Sequence, residues 1–471
     1  MSYPQLELLN AYAKMRPLIV SVKGKLVRST LQSIRNKVLC TTTWKIQLVF
    51  WFSAILVGIA ATAFAIASEH SHGFFKQILA ISPYLPLLVT PLLLMFVSWL
   101  TRRFFPGAQG SGIPQSIAAL NMTDHKLRAS LLSLRIAFGK ILLTLLGLLG
   151  GASIGREGPT VHVGAAIMFS LGNLARFPQH FMDRGLILAG GAAGVAAAFN
   201  TPLAGIVFAI EEMSRSFEQR TSGTILTAVV IAGVTAIVIQ GPYTYFGTSN
   251  VSLPLTSSWL AVLVCGVLGG GLGGLFSLLL VHSTRKLAPW HLKFPLRIAF
   301  ICGLSIAVIG LLSGNTTYGT GYDEARLLIT GTGELDASYP LMKMFATLAS
   351  YLSGIPGGIF APSLATGAGI GAFFAQWFNS VPAETLVLLG MVAYFTGVVQ
   401  TPITAFVIVM EMTGNNEMLL PLMLTALIAQ AVSKLICPEA IYEALAAPFM
   451  DQQKTNNNDS DTAEKTEKRA T

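Results

Sequence analysis

Apolar runs near the length of a bilayer crossing, Ile46 to Ser68, Tyr84 to Leu100, Thr224 to Gln240, Trp259 to Val281 and Leu419 to Ile436, constrain this chain more than any other feature. In hydrocarbon every backbone N–H and C=O must find a partner inside the protein, so runs of this length fold as helices. With 53% hydrophobic residues, 11% charged residues and a mean hydropathy of +0.63, the chain departs from soluble usage in the same direction. The expected class is an all-α polytopic membrane protein. Other apolar stretches, Gly164 to Leu171 and Val387 to Thr396, are too short to cross and are interrupted by Gly or Pro. Short, broken helices are what ion-handling transporters use, because irregular backbone at depth is tolerated where it lines a cavity.

Basic residues set the orientation. Lys14, Arg16, Lys23, Lys25, Arg28, Arg35, Lys37 and Lys45 precede the first span against a single acid, Glu7, which predicts a cytoplasmic N-terminus. Glu69, His70 and His72 then fall in a loop after span one, and Arg102 and Arg103 at the far end of span two, an in, out, in path. The net charge of +9 is topology and attraction to the inner leaflet, and no nucleic-acid partner is expected. The first 40 residues lack an apolar core, so no cleavable signal is expected. Cys40, Cys265, Cys302 and Cys437 have neither metal spacing nor a paired pattern, and read as buried thiols. The expected layout is a basic cytoplasmic segment, 1–45, a membrane transport domain, 46–445, and a disordered polar cytoplasmic tail, 446–471.

Three segments carry chemistry: Gly110-Ser111-Gly112-Ile113-Pro114, Gly155-Arg156-Glu157-Gly158-Pro159, and Gly357-Gly358-Ile359-Phe360-Ala361-Pro362. Pro is favoured in the first turn of a helix, and Gly lets bare N–H groups approach a ligand. Three helix N-termini are implied, each a positive dipole end with unsatisfied donors, which suits an anion. A charged pair such as Arg156 and Glu157 at membrane depth is costly and marks function.

The chain also repeats. Residues 139–165 and 342–368 align without a gap, placing Lys140 on Lys343, Gly151 on Gly354, Gly155 on Gly358, Pro159 on Pro362 and Gly164 on Gly367. Further on, Thr201-Pro202 through Glu211 matches Thr401-Pro402 through Glu411. Two related halves follow, about 46–240 and 258–437, and interrupted segments in corresponding positions point to a transporter's midplane site. Duplication leaves open whether the halves are parallel or inverted.

In order and separation, the three motifs and a late Tyr442 resemble the CLC family of chloride channels and chloride/proton exchangers, over about residues 45–445. The resemblance implies an inverted-repeat fold of many tilted and broken helices, a homodimer in lipid, and one anion path in each subunit. It implies that the hydroxyls of Ser111 and Tyr442 and the backbone N–H groups of Ile359 and Phe360 contact a central chloride. Gly110, Gly112, Arg156 and Gly158 support that pathway. Glu157 is then the gating carboxylate, and Glu212 the internal proton acceptor that exchangers carry and most channels lack. The function implied is secondary active chloride/proton antiport, a transporter and not an enzyme, with chloride as substrate and no cofactor. A passive voltage- or pH-gated chloride channel is the alternative. With little chain beyond Tyr442 for nucleotide-sensing domains, a bacterial inner-membrane protein with both termini cytoplasmic is expected.

Elementary chemistry fits these roles. A chloride leaving water is held by partial charges from helix ends and neutral hydroxyls, whereas a full positive charge would trap it. Ionised, Glu157 competes for an anion site; protonated, it leaves, so proton and anion binding are linked. Each residue also has a plainer reading. Glu157 pairs with an arginine, Glu211 and Glu212 mark a helix leaving the membrane, Tyr442 anchors at the interface, Ser111 is an N-cap, and His162 is a helix residue. Where exchangers of the family often carry acids after the first motif, this chain has Gln115, Ser116 and Ile117, which leaves a buried Lys140 without an evident carboxylate partner. No His-Glu-x-x-His occurs and the aspartates lie outside the apolar spans, which disfavours an intramembrane protease or a cation exchanger.

Overall fold

A computed structural model describes residues 41–175, 184–214, 219–241, 243–253, 259–378 and 380–451. Most of the basic segment before the first span, Arg215 and the polar residues beyond Asp451 lie outside these residues. The chain divides into two units, Met1–Phe52 and Ser53–Thr471. The described part of the first comprises the opening turns of helix α1 (Thr41–Ile81).

Among the described residues the structure is helical, without named strands. After α1 come α2 (Pro86–Phe104), α3 (Ile113–Asn121), α4 (His125–Leu131), α5 (Leu134–Leu149), α6 (Glu157–Leu174), α7 (Leu186–Phe199), α8 (Pro202–Phe208), a π-helical turn (Ala209–Ser214) and α9 (Gln219–Gln240). The second half holds α10 (Trp259–Lys293), α11 (Pro295–Leu312), α12 (Tyr322–Ile329), α13 (Tyr339–Leu352), α14 (Phe360–Ala375), α15 (Ala383–Val399), α16 (Pro402–Thr413) and α17 (Leu419–Ile436), followed by α18, residues 441–451. The five expected spans fall in helices long and apolar enough to cross, and His125–Leu149 and Pro295–Leu312 qualify as well.

Two sequence expectations change. Glu69, His70 and His72 are not in a loop, because α1 continues to Ile81. Its polar residues are absorbed by the helix, with Ser68 Oγ donating to Phe64 O at 2.6 Å and His70 Nδ1 bonding Ile66 O at 2.8 Å. The stretches from Gly164 and from Val387 belong to helices of 18 and 17 residues, α6 and α15, buried along most of their length.

The halves correspond helix by helix, α5 to α9 on α13 to α17. Gly151 and Gly354 share a left-handed φ, 76° and 77°, and Asn200 and Gln400 end α7 and α15 at 57° and 61°, each followed by Thr-Pro. Backbones of α6 and α7 touch at Gly164 and Gly190, and those of α14 and α15 at Gly367 and Gly390, where any Cβ would strike the opposing carbonyl. Such contacts stand in for a hydrophobic drive that lipid cannot supply. The relation is inverted: Gly155 and Gly358, equivalent residues, form an antiparallel pair with two reciprocal N–H···O bonds of 2.7 Å. A local twofold passes between them.

Candidate anion and proton site

The pairing at Gly155 and Gly358 sits just before the first residues of α6 and α14, so these two N-termini meet at the twofold. The third motif is stitched to the same place, since Gly110 N donates to Ile355 O at 3.1 Å and Gly357 N to Gly110 O at 3.2 Å. Gly110 and Gly112 adopt φ of 67° and 104°, which L side chains rarely reach, and this turn launches α3 with Pro114 in its first turn. The three glycine motifs, far apart in sequence, are therefore one structural unit.

Ser111 is fully buried, and Gly112, not Ser111, is the N-cap of α3. The serine hydroxyl is turned instead toward Gly158, where an added Cβ would collide with Ser111 Oγ and lie 3.1 Å from Ser111 O. Tyr442, on α18, is fully buried and so is no interfacial anchor. The two side chains approach each other, and neither hydroxyl makes a hydrogen bond of normal geometry to protein. Buried hydroxyls without partners are rare and call for an ion or water. Ile359 is the N-cap of α14, and the first bond of that helix returns from Ser363 N to Ile359 O at 3.0 Å. The amides of Ile359 and Phe360 thus precede the ladder. The Phe360 ring closes the site, 4.8 Å from Phe395, 5.9 Å from Phe208 and 5.9 Å from Tyr442 by centroid.

Glu157 opens α6 with its carboxylate buried and folded over Gly155, where a Cβ would collide with Oε2. The Ala361 N–H and Tyr245 hydroxyl are its polar neighbours, but neither carboxylate oxygen reaches hydrogen-bond geometry. The plainer reading, an arginine pair, does not describe it. Arg156 turns to α1 instead, donating to Ala65 O at 2.6 Å and Ser68 Oγ at 3.3 Å and pairing with Glu69 Oε1 at 3.3 Å. Its guanidinium also lies 5.8 Å over the Tyr245 ring.

The adjacent glutamates separate cleanly. Glu211 is a crosslink between halves: its carboxylate accepts from Ile403 N at 3.1 Å and Thr404 N at 2.6 Å, while Glu411 accepts from Leu203 N at 3.1 Å and Ala204 N at 2.7 Å. Each repeat caps the other's helix. Glu212 is buried at 2% exposure, and the Tyr442 phenol is within electrostatic reach of both Glu212 and Glu157. The two lie in the π-helical turn rather than a regular α-helix.

Lys140 is fully buried, donates to Gly110 O at 3.3 Å, and contacts no carboxylate among the described residues. Its repeat partner Lys343 donates to Thr317 O and Gly319 O at 2.9 Å each. This exposes a correspondence the alignment missed, Gly110-Ser111-Gly112 with Gly319-Thr320-Gly321, whose glycines have φ of 65° and 80°. In the second copy Thr320 Oγ1 accepts from Tyr322 N, and Asp323 and Glu324 occupy the first turn of α12, so that helix end carries its own anions. His162 Nε2 donates to Leu131 O at 3.0 Å, a structural contact. Tyr245 and the ring of phenylalanines around Phe360 also escaped sequence reasoning.

The protein-family model described as voltage gated chloride channel matches residues 93–434. The chain is 29% identical over 473 residues to the H(+)/Cl(-) exchange transporter ClcA of Vibrio cholerae serotype O1 (strain M66-2), covering 93% of this chain and 97% of that protein. Among solved structures it resembles a slow cyanobacterial Cl-/H+ antiporter, with a TM-score of 0.74, 25% identity, and coverage of 87% of this chain and 99% of that one. A CLC-type fluoride/proton antiporter gives a TM-score of 0.73 at 25% identity, covering 85% and 97%.

Proposed function

Because the chain belongs to the voltage gated chloride channel family, we infer from its paired buried carboxylates that it is a secondary active chloride/proton antiporter. The observation that carries this reading is the placing of Tyr442 within reach of both Glu157 and Glu212. A passive chloride path needs one gating carboxylate; a second, buried beyond the anion site, supplies a separate proton station.

In this reading chloride rests on the Ser111 and Tyr442 hydroxyls and the N–H groups of Ile359 and Phe360, with Gly110, Gly112 and Gly158 giving the backbone room to approach. Neutral donors replace its hydration without trapping it. Glu157, ionised, competes for the anion path from the twofold side, and takes a proton when chloride displaces it. Arg156 fixes the start of α6 against α1. Glu212 exchanges protons with the opposite solution, so a full cycle moves the two ions in opposite directions and each gradient can drive the other.

The chain works in this reading as a homodimer in lipid, one path per subunit. Exposed apolar rows on α9 (Leu226, Val230, Val234) and α17 (Leu420, Leu424, Leu427) support the lipid setting, and the paired subunit follows from the family resemblance. Basic residues before α1 and the bacterial relatives support an inner membrane and cytoplasmic termini.

Purified protein in liposomes, with chloride and proton fluxes recorded together, tests the reading. A chloride gradient should drive protons uphill. Chloride movement with a flat pH trace at every imposed voltage would sink the antiporter and leave the passive channel.

A further inference from the structure

On the face bearing α18, a cavity of about 900 Å3 is walled by the end of α2, the Gly107–Gly110 turn, the last turns of α10, Tyr351 and α18 itself. It reaches Gly110, the residue next to Ser111. Three basic side chains line it, and their charges fare differently. Arg285 is neutralised by Glu439 at 2.5 Å. His291 Nδ1 lies 3.3 Å from Arg102 Nη2; a guanidinium only donates, so this nitrogen accepts and carries no proton. Arg102 is thus aimed by a neutral group. Asp451 also lines the cavity, and among the described residues Arg102 forms no ion pair with a carboxylate within 4.0 Å.

Two further details belong to this arrangement. Gly354, with φ of 77°, borders the pair, and a Cβ there would rest in ordinary contact with it, 3.4 Å from the His291 ring and 4.0 Å from Arg102 Nη2. Thr284 Oγ1, on the same wall, is buried and has no hydrogen-bond partner. An ion with six waters needs roughly 200 Å3 at about 30 Å3 per water, well within the cavity.

We propose that Arg102, oriented by neutral His291, is a collecting site that draws hydrated chloride into this cavity and feeds it to Ser111. The inference rests on the antiport reading and adds a residue to it. A full positive charge deep in the path would trap chloride; at a wet mouth it raises the local anion concentration and the rate of capture. Its field is screened over about 10 Å at 0.1 M salt, so the effect is greatest at low ionic strength. An arginine that served only the negative end of α2 would stabilise the helix and leave capture unchanged.

The test compares parent, Arg102→Gln, Arg102→Lys and His291→Glu proteins in liposomes of neutral lipid and, in parallel, of neutral plus anionic lipid, with impermeant gluconate setting the ionic strength. Arg102→Gln should raise the KM for chloride about two- to fivefold at low ionic strength, leaving maximal rate and the chloride-to-proton ratio unchanged. The rise should shrink as salt increases, and Arg102→Lys should restore most of the parent KM. His291→Glu, which sets a carboxylate against the intact arginine, should reproduce the rise. An unchanged KM at low salt, an effect that persists at high salt, or one confined to liposomes containing anionic lipid would overturn the proposal, the last by making Arg102 a headgroup contact. A parent protein without chloride transport would instead defeat the antiport reading itself.

Discussion

Glu211→Gln and Glu212→Gln change neighbouring residues by the same atoms, yet the structure predicts opposite consequences. The Glu211 carboxylate spans two first-turn amides of α16, at 3.1 and 2.6 Å. Glutamine keeps one acceptor oxygen, loses the charge, and turns an NH2 toward an N–H. Hydrogen bonds to charged groups are each worth about 1.5–3 kcal/mol, and Glu211 is partly exposed, so a loss of about 1–2 kcal/mol is expected. Thermal unfolding in detergent should fall by about 1–2 °C while chloride and proton fluxes per folded molecule stay coupled. Glu411→Gln should behave alike, because its bonds to Leu203 N and Ala204 N mirror the first pair. Glu212→Gln leaves both of these crosslinks in place, so its melting should shift little, while proton flux collapses and chloride still crosses. Paired flux and melting curves at matched incorporation decide the matter. Lost coupling in Glu211→Gln beside intact coupling in Glu212→Gln would show that the proton role belongs one residue earlier.

Glu157→Ala removes both the proton carrier and the competitor for the anion path, so chloride should leak without proton movement; retained coupling in the flux assay would place the gate elsewhere. Gly158→Ala drives a methyl into Ser111, and an overpacking cost of about 1–3 kcal/mol, if felt at the anion site, should weaken chloride binding by about five- to 150-fold. Calorimetric titration with chloride reads this directly, and parent-like affinity would take Ser111 out of the anion site.

Membrane class, two related halves and the three glycine motifs were legible because each is written in local residue choice. A Gly-Pro bracket marks a helix start, and a constant offset marks duplication. Glu211 was separable from Glu212 because only Glu211 has a repeat partner. What sequence could not supply depends on distant packing. Tyr245 comes beside Glu157, and Phe199, Phe208 and Phe395 around Phe360, only once the halves close. The π-helical turn at Ala209–Ser214 has no local signature. The pairing of Gly319-Thr320-Gly321 with Gly110-Ser111-Gly112 was hidden by a different spacing from the aligned region. The long reach of α1 past Ser68 was hidden because Glu69, His70 and His72 look like a loop.

The exchange of caps between Glu211 and Glu411 has a consequence for biogenesis. The carboxylate that completes the first turn of α8 is encoded 208 residues after Leu203. At about 5–20 residues per second, synthesis leaves that helix end open for roughly 10–40 s. For about the first three quarters of that interval Gly155 also lacks its antiparallel partner Gly358. The N-terminal half must therefore wait in the bilayer as an unfinished helical assembly, with its polar motif unclosed, until its counterpart emerges from the ribosome. Supplied as two separate polypeptides, the halves should mature only when made together.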